Sequence, residues 1–253
     1  MTGEREPLRD SAGRTVEMAI EVHTPCAPQH LAPCPWQFPD VRRVPPDGLV
    51  GAGGDFEPST IVAAYRAGIF PWPHPEEEYL WFSPDPRAVL PLDGLVISRR
   101  LGRTARGGRF RVTIDAAFED VMRGCADRPG EGTWITPALI RGYTALQEMG
   151  WAHSVEVWNS RGELAGGLYG VCAGAMFGAE SMFHRETDAS KVAMVALVRH
   201  ARRIGIELID IQVLTDHTER MGGASISRGQ YLRRLWRALN REVEWRTEPR
   251  SER

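Results

Sequence analysis

Apolar and polar positions change period several times along the chain, and each change predicts an element. "RFRVTID", residues 109–115, alternates like a strand. "AAFEDVMRGCAD" and "TPALIRGYTALQEMG" read as helices, the second opening at Thr136-Pro137 and stopping at Gly150. "HSVEVWNSRGELAGGLYGVCAGAMFGAESMF" reads as consecutive strands, joined at Asn159-Ser160-Arg161-Gly162 and near Gly174. "DASKVAMVALVRHARRIG" predicts a helix capped by Asp188 and ended by Gly205, and "IELIDIQVL" a strand after it. "SRGQYLRRLWRALNRE" is a closing helix. Strand, helix and strand at this spacing predict a right-handed crossover in an α+β sheet.

The first third reads differently. Residues 1–34 mix charge, proline and small residues without period, and are expected to be a mobile extension. In "GLVGAGGDFEPSTIVAAYRAGIFPW", glycines 51, 53 and 54 predict a turn. A short helix follows, with Pro58 in its first turn, running to about Arg66 and closed by Gly68. "WPHPEEEYLWFSPDPR" is aromatic and broken by prolines, which puts a domain boundary near Pro86. The predicted organisation is an extension (1–34), a small N-terminal domain (35–86), a larger domain (87–245) and a tail (246–253).

Composition narrows the class. The chain has 253 residues, 42% of them hydrophobic, enough for a sizeable core. No apolar run approaches the roughly 20 residues of a membrane span, and no apolar segment follows the N-terminal arginines as in a secretory signal. Cys26, Cys34, Cys125 and Cys172 are scattered and form no CxxC pair, so a zinc site is not expected. A reduced, cytoplasmic protein is the expectation. Net charge is -2, which gives no overall pull toward nucleic acid. Locally, "SRRLGRTARGGRFR" carries Arg99, Arg100, Arg103, Arg106, Arg109 and Arg111 with no acid among them. Such a run is either a phosphate-contacting patch or a solvated face.

The motifs of several familiar chemistries are missing or incomplete. "GAGGD" lacks the lysine of a phosphate loop, the seven histidines show no metal-ligand spacing, and neither HExxH nor GxSxG occurs. Two acids remain conspicuous. Asp210 sits in the apolar run "ELIDIQVL", with Gln212 two residues on and so on the same strand face. Glu180 sits in "MFGAESMF". Burying an unpaired carboxylate costs several kcal/mol, so each is either a reactive group or a core group satisfied by an arginine. Trp72 in "GIFPW" and Trp134 in "GTWITP" fall in loops, where they either stack on a base or pack the core.

At these residues the chain resembles the leucyl/phenylalanyl-tRNA–protein transferase family. The matching stretches include "GLVGAGGDFEPSTIVAAYRAGIFPW", "LWFSPDPRAVL", "GTWITP", "GWAHSVEVW", "LAGGLYGV", "ESMFHRETDASKVA" and "LIDIQVLTDHTERMGG", in order from about residue 38 to residue 235. The resemblance implies a small N-terminal domain before a larger acetyltransferase-like (GNAT-like) mixed-sheet domain. It implies transfer of Leu or Phe, and less readily Met, from aminoacyl-tRNA to the α-amine of proteins beginning with Arg or Lys, which marks them for degradation. It carries Glu180, Asp210 and Gln212 onto the reaction centre and Trp72 and Trp134 onto the tRNA 3′ adenosine. It makes Leu168, Phe177, Met182 and Ile209 walls for the Leu or Phe side chain. No nucleotide or metal cofactor is implied, because the ester is already activated. Under this reading Arg99, Arg100, Arg103 and Arg106 meet tRNA phosphates, and the chain is a monomer away from membranes.

Two positions depart from the family's usual pattern: Ala179 stands where Gly is usual before the glutamate, and Leu168 where Met often occurs. Lys191, in "DASK", is the single lysine among 31 basic residues, so an ammonium there is expected to do something a guanidinium cannot. Other readings remain. An acetyl-CoA enzyme would want a glycine-rich loop before a helix, whereas "HRETDAS" has none. A cell-wall aminoacyl transferase would share the donor. A non-catalytic tRNA-binding module would use the tryptophans and arginines but not the acids.

Overall fold

The structure is a computed structural model that describes residues 6–23, 27–74, 79–128 and 132–245. Its elements in chain order are β1 (Glu21–Val22), β2 (Leu49–Ala52), α1 (Pro58–Arg66), β3 (Phe70–Pro71), β4 (Leu80–Phe82), β5 (Arg87–Leu90), α2 (Arg99–Arg106), β6 (Arg111–Ile114), α3 (Phe118–Ala126), α4 (Pro137–Glu148), β7 (Ala152–Trp158), β8 (Leu164–Ala173), β9 (Met176–His184), α5 (Ala189–Ile204), β10 (Leu208–Gln212), α6 (Asp216–Arg220), β11 (Ala224–Ile226) and α7 (Arg228–Leu239). The architecture is mixed α+β. A large sheet has the order β1-β6-β7-β8-β9-β10-β5-β11, and a small one the order β2-β4-β3.

Both faces of the large sheet are covered, which is why β8 is buried along its whole length. Alternate side chains enter two cores. Val155, Val157, Leu168 and Ile209 join α5 on one face; Tyr169, Val171, Met176 and Leu208 join α1, α3, α4 and α7 on the other. β9 and β10 are parallel and joined through α5, so the strand–helix–strand pattern does form a crossover within one sheet. Gly205 closes α5 with φ +94°. Asp188 precedes α5 but does not cap it through its side chain; its carboxylate holds Arg100 at 2.9 Å and Lys191 at 3.5 Å.

The chain leaves the small sheet after β4 and enters the large one at β5, on either side of Pro86. The helix of the small unit is nonetheless buried in a core shared with the large one: Ile61 and Tyr65 of α1 pack with Leu139 and Tyr143 of α4 and Tyr231 of α7. Gly142 makes this closeness possible, since a Cβ there would lie 2.2 Å from the carbonyl oxygen of Phe56.

Some expectations are corrected. The stretch expected to be a mobile extension is packed in part, within residues 6–23. Leu8 and Val16 are buried, β1 pairs in parallel with β6, and Asp10 bonds Arg106 at 2.9 Å. Few apolar residues are spread over it, so their burial leaves no periodic signal. Gly51 belongs to β2; Gly53 and Gly54, at φ +98° and +92°, make the turn. The strand expected over 206–214 ends at Gln212, which adopts φ +55°. The tail 246–253 lies outside the described residues.

Candidate active site

The site lies where two neighbouring strands part. β9 and β10 pair only through Leu208↔Met176, Ile209↔Phe177 and Asp210↔Gly178. β9 then runs on to His184, while Gln212 turns the end of β10 away with its left-handed backbone. A cavity of about 760 Å³ fills the gap, walled by β9 residues 179–184 and by Ile211, Gln212 and Val213. Its size suits a small organic group. The β8–β9 ladder shifts register between Tyr169↔Ser181 and Gly170↔Ala179, which leaves Glu180 as the extra residue of a bulge.

Glu180 is the chemical centre of this cavity. It is partly exposed, and its two oxygens have separate partners: the Gln212 side-chain amide donates to Oε1 at 3.0 Å, and the Tyr143 hydroxyl to Oε2 at 3.3 Å. Tyr65 lies 3.1 Å from Tyr143, oxygen to oxygen. Both tyrosines are fully buried, and burial first, then the Glu180 charge, holds both phenols well above their ordinary range. Gly178 admits the Tyr65 ring, because a Cβ there would come 2.8 Å from Cε1. Burial raises the Glu180 carboxyl to about 8; the Asp210 charge adds to this, and the bonds from Tyr65 and Tyr143 and the Arg87 charge oppose it. A carboxyl so placed exchanges a proton near neutral pH. Gln212 gives its N–H to Glu180, which leaves its carbonyl oxygen to accept from a ligand.

Asp210 is brought close to Glu180 but does not line the cavity, which corrects its expected contact with substrate. Its side chain is fully buried and fully used. Arg87 donates to Oδ1 at 2.9 Å and to Oδ2 at 2.6 Å; Tyr231 donates to Oδ2 at 2.8 Å; the Gln212 backbone donates to Oδ1 at 3.0 Å. The arginine that satisfies the acid is 123 residues upstream. Burial works against the Arg87 charge, but Asp210, Tyr231 and Tyr65 together outweigh it and hold the guanidinium above its usual range.

Trp72 and Trp134 both line the cavity, Trp72 at 41% exposure. Trp72 meets Phe82 edge to face at 5.7 Å. Leu168 and Met182, paired across β8 and β9, line it as well. Phe177 and Ile209 do not, which corrects their assignment as pocket walls. Both are fully buried in the core, where Phe177 stacks on Trp245 at 5.0 Å. Ala179 and Ile211 stand at the cavity instead. Cys125 also reaches it, but burial pushes its thiol up to about 12, so it stays protonated.

The first four arginines of the run, Arg99 to Arg106, lie on α2, with Ser98 capping it. Arg99 and Arg103 are exposed and form no ion pair among the described residues. Arg100 is 61% exposed while bonded to Asp188, two residues from the cavity wall at Ser190. Arg106 is corrected as a free phosphate contact: Asp10 and the Thr15 carbonyl hold it. Lys191 pairs with Asp188 beside the cavity rather than on its wall. Sequence reasoning missed Arg87, Tyr65, Tyr143 and Tyr231. Arg87 lay in view in "LWFSPDPRAVL", but apolar and polar period carries no sign of a partner so distant in sequence. Among the described residues no three His, Cys, Asp or Glu side chains group as metal ligands.

Known proteins bear on this site. The family model described as leucyl/phenylalanyl-tRNA protein transferase matches residues 89–236, and the model for its N-terminal domain matches residues 54–85. A leucyl/phenylalanyl-tRNA–protein transferase of Anaeromyxobacter sp. (strain Fw109-5) is 51% identical over 81% of this chain and 88% of its own. That of Solidesulfovibrio magneticus is 49% identical over 81% and 84%. A tandem GNAT protein of clavulanic acid biosynthesis aligns over 57% of this chain and 54% of its own at 12% identity, with a TM-score of 0.34, a likeness too slight to carry weight. The extent and identity of the other matches decide the kinship: the chain belongs to the leucyl/phenylalanyl-tRNA–protein transferase family.

Proposed function

We propose that this protein moves Leu or Phe, and less readily Met, from aminoacyl-tRNA to the α-amine of proteins beginning with Arg or Lys, marking them for degradation. One observation carries the reading: the hydrogen-bonded pair Glu180–Gln212 stands in the same cavity as two tryptophans and an apolar wall. Trp72 and Trp134 offer rings to the terminal adenosine. Leu168 and Met182 take the apolar side chain. The ester then lies beside Glu180 and Gln212.

The acceptor arrives as an ammonium, with an ordinary pKa near 8. Its charge favours the carboxylate form of Glu180, and the Gln212 carbonyl oxygen accepts one of its N–H bonds. Glu180 takes a proton, and the free amine attacks the ester carbon. The new C–N bond forms as the carbonyl becomes an oxyanion, and the second amine proton leaves for solvent. Collapse breaks the C–O bond, and the ribose oxygen leaves with the proton that Glu180 returns. Holding both reactants in attack geometry lowers the barrier by several kcal/mol more. Activated ester chemistry needs no cofactor. Aminoacyl-tRNA is a cytoplasmic substrate, and we place a monomer there.

The test is transfer. Purified protein is mixed with Leu-tRNA or Phe-tRNA and a peptide beginning with Arg or with Ala, and the masses are read. Added Leu or Phe on the Arg peptide alone is the expected result. No mass change on either, with intact donor and folded protein, would sink the reading.

A further inference from the structure

We propose that Arg87 is a positioning residue that fixes the acceptor's amine site against the donor's adenosine site. This rests on the transfer reading above. Arg87 opens β5 and is the largest of the fully buried side chains. Its guanidinium touches three parts of the molecule at once. Two N–H groups fork onto Asp210 of β10 at 2.9 and 2.6 Å. A third donates to the Gly68 carbonyl at 3.1 Å, four residues before Trp72. The flat faces lie over the rings of Phe70 at 4.6 Å and Tyr231 at 4.4 Å.

The route to Gln212 is short. Asp210 Oδ1 accepts the Gln212 backbone N–H, and Gln212 holds φ +55°. A left-handed backbone costs a residue with a Cβ about 1–2 kcal/mol, so it persists only where the surroundings impose it. The carboxylate held by Arg87 imposes it here, and the turn that results sends the Gln212 amide to Glu180 at 3.0 Å. The route to Trp72 is equally short. Phe70 lies under the guanidinium, and its ring centroid is 6.2 Å from that of Trp72. One rigid planar group therefore sets both ends of the reaction. A lysine would keep a charge near Asp210 but cannot fork onto it and reach Gly68 together. Asp210 in this scheme moves no proton; it transmits position.

Three variants test this: Arg87→Lys, Tyr231→Phe, and the charge-neutral double Arg87→Met with Asp210→Asn. For Arg87→Lys and the double, folded by circular dichroism, kcat is expected to fall at least tenfold at saturating donor and acceptor. The pH profile of kcat/KM should keep its wild-type shape. Tyr231→Phe, which removes one bond to Asp210 without changing volume, should lower kcat several-fold. A folded Arg87→Lys or double variant within twofold of wild type would overturn the proposal. So would a double variant whose pH profile loses an ionisation, since Asp210 would then carry the proton. If the Arg87 variants do not fold, unchanged kcat in Tyr231→Phe overturns it alone. A second readout needs no activity: the Gln212 side-chain amide resonance in ¹⁵N-labelled protein should shift and broaden in Tyr231→Phe. An inert wild type would sink the transfer reading and leave this signal to decide the positioning role; an unmoved resonance there would overturn it.

Discussion

The Gln212 amide donates to Glu180 Oε1 at 3.0 Å across the gap where β9 and β10 part. No backbone ladder joins the strands at that depth, so this one bond bridges them. It also joins a group that titrates near neutral pH to one that does not, which makes the bridge sensitive to pH.

Glu180 should make stability fall as pH rises. Its folded carboxyl titrates at about 8, because loss of surrounding water disfavours its charge, against an ordinary 4.5. Between those values the folded state holds the proton and the unfolded chain does not, so stability present below pH 4.5 is lost as pH climbs through 8. His200, lowered to about 4 by burial, works in the opposite direction, and its contribution is complete by pH 6.5. Scanning calorimetry between pH 6.5 and 8.5 should show a falling Tm in the wild type and a flatter line in Glu180→Gln. Equal slopes would mean that Glu180 is ionised throughout. Transfer by Glu180→Gln should fall by about a hundredfold or more, the lower end of the usual range for a lost general base.

The Arg87–Asp210 pair should be costly to halve and cheap to remove. Both side chains are fully buried. Arg87→Met strands a buried carboxylate and should cost about 3–5 kcal/mol. Adding Asp210→Asn should recover most of that loss. Urea denaturation of the two singles and the double gives the coupling. Additive losses would show that the two charges do not depend on each other.

Trp72 and Trp134 should matter to the donor and not to the acceptor. Base stacking on an aromatic side chain is worth about 1–3 kcal/mol, so either alanine variant should weaken donor binding about 5-fold to about 150-fold. Trp72 is 41% exposed, so its loss should leave the fold intact. Fluorescence titration with an aminoacyl-adenosine fragment measures this, beside KM for the acceptor peptide. A change confined to the peptide KM would move both rings out of the adenosine's reach.

Much of this site was legible because its polar members interrupt apolar strands. Glu180, Asp210 and Gln212 broke the pattern, and all three come together. The pattern could not rank them. Glu180 and Gln212 stand at the cavity, while Asp210 is closed off by Arg87 and Tyr231, whose approach depends on long-range topology. Phe177 misled for a related reason. The bulge at Glu180 returns Met182 to the face Phe177 occupies, but Phe177 lies deeper, under Trp245. Strand period gives the face, and depth along the strand comes only from what packs on it. The short strands β3, β4 and β11, at two or three residues each, offer no window in which a period can show.

The arginines of α2 should separate into two kinds. Each protein cation on a nucleic-acid phosphate lowers the slope of log K against log salt by about 0.7 to 0.9. Arg99 and Arg103 are exposed without an ion pair among the described residues, so Arg99→Gln and Arg103→Gln should each flatten the slope by about that much. Arg100 must leave Asp188 to reach a phosphate, which keeps its pairing with Lys191 at 3.5 Å; its loss should flatten the slope by less. Arg106 is three-quarters covered and bound to Asp10 and the Thr15 carbonyl. Arg106→Gln should leave the slope unchanged and instead expose residues 6–16 to protease, because it removes a tie between that segment and α2. Filter binding of Phe-tRNA from 50 to 200 mM salt and limited proteolysis read the two effects. A slope in Arg106→Gln that falls as far as in Arg99→Gln would show that Arg106 leaves Asp10 for the RNA, and the N-terminal segment would then be a competitor for the tRNA rather than a fixed part of the fold.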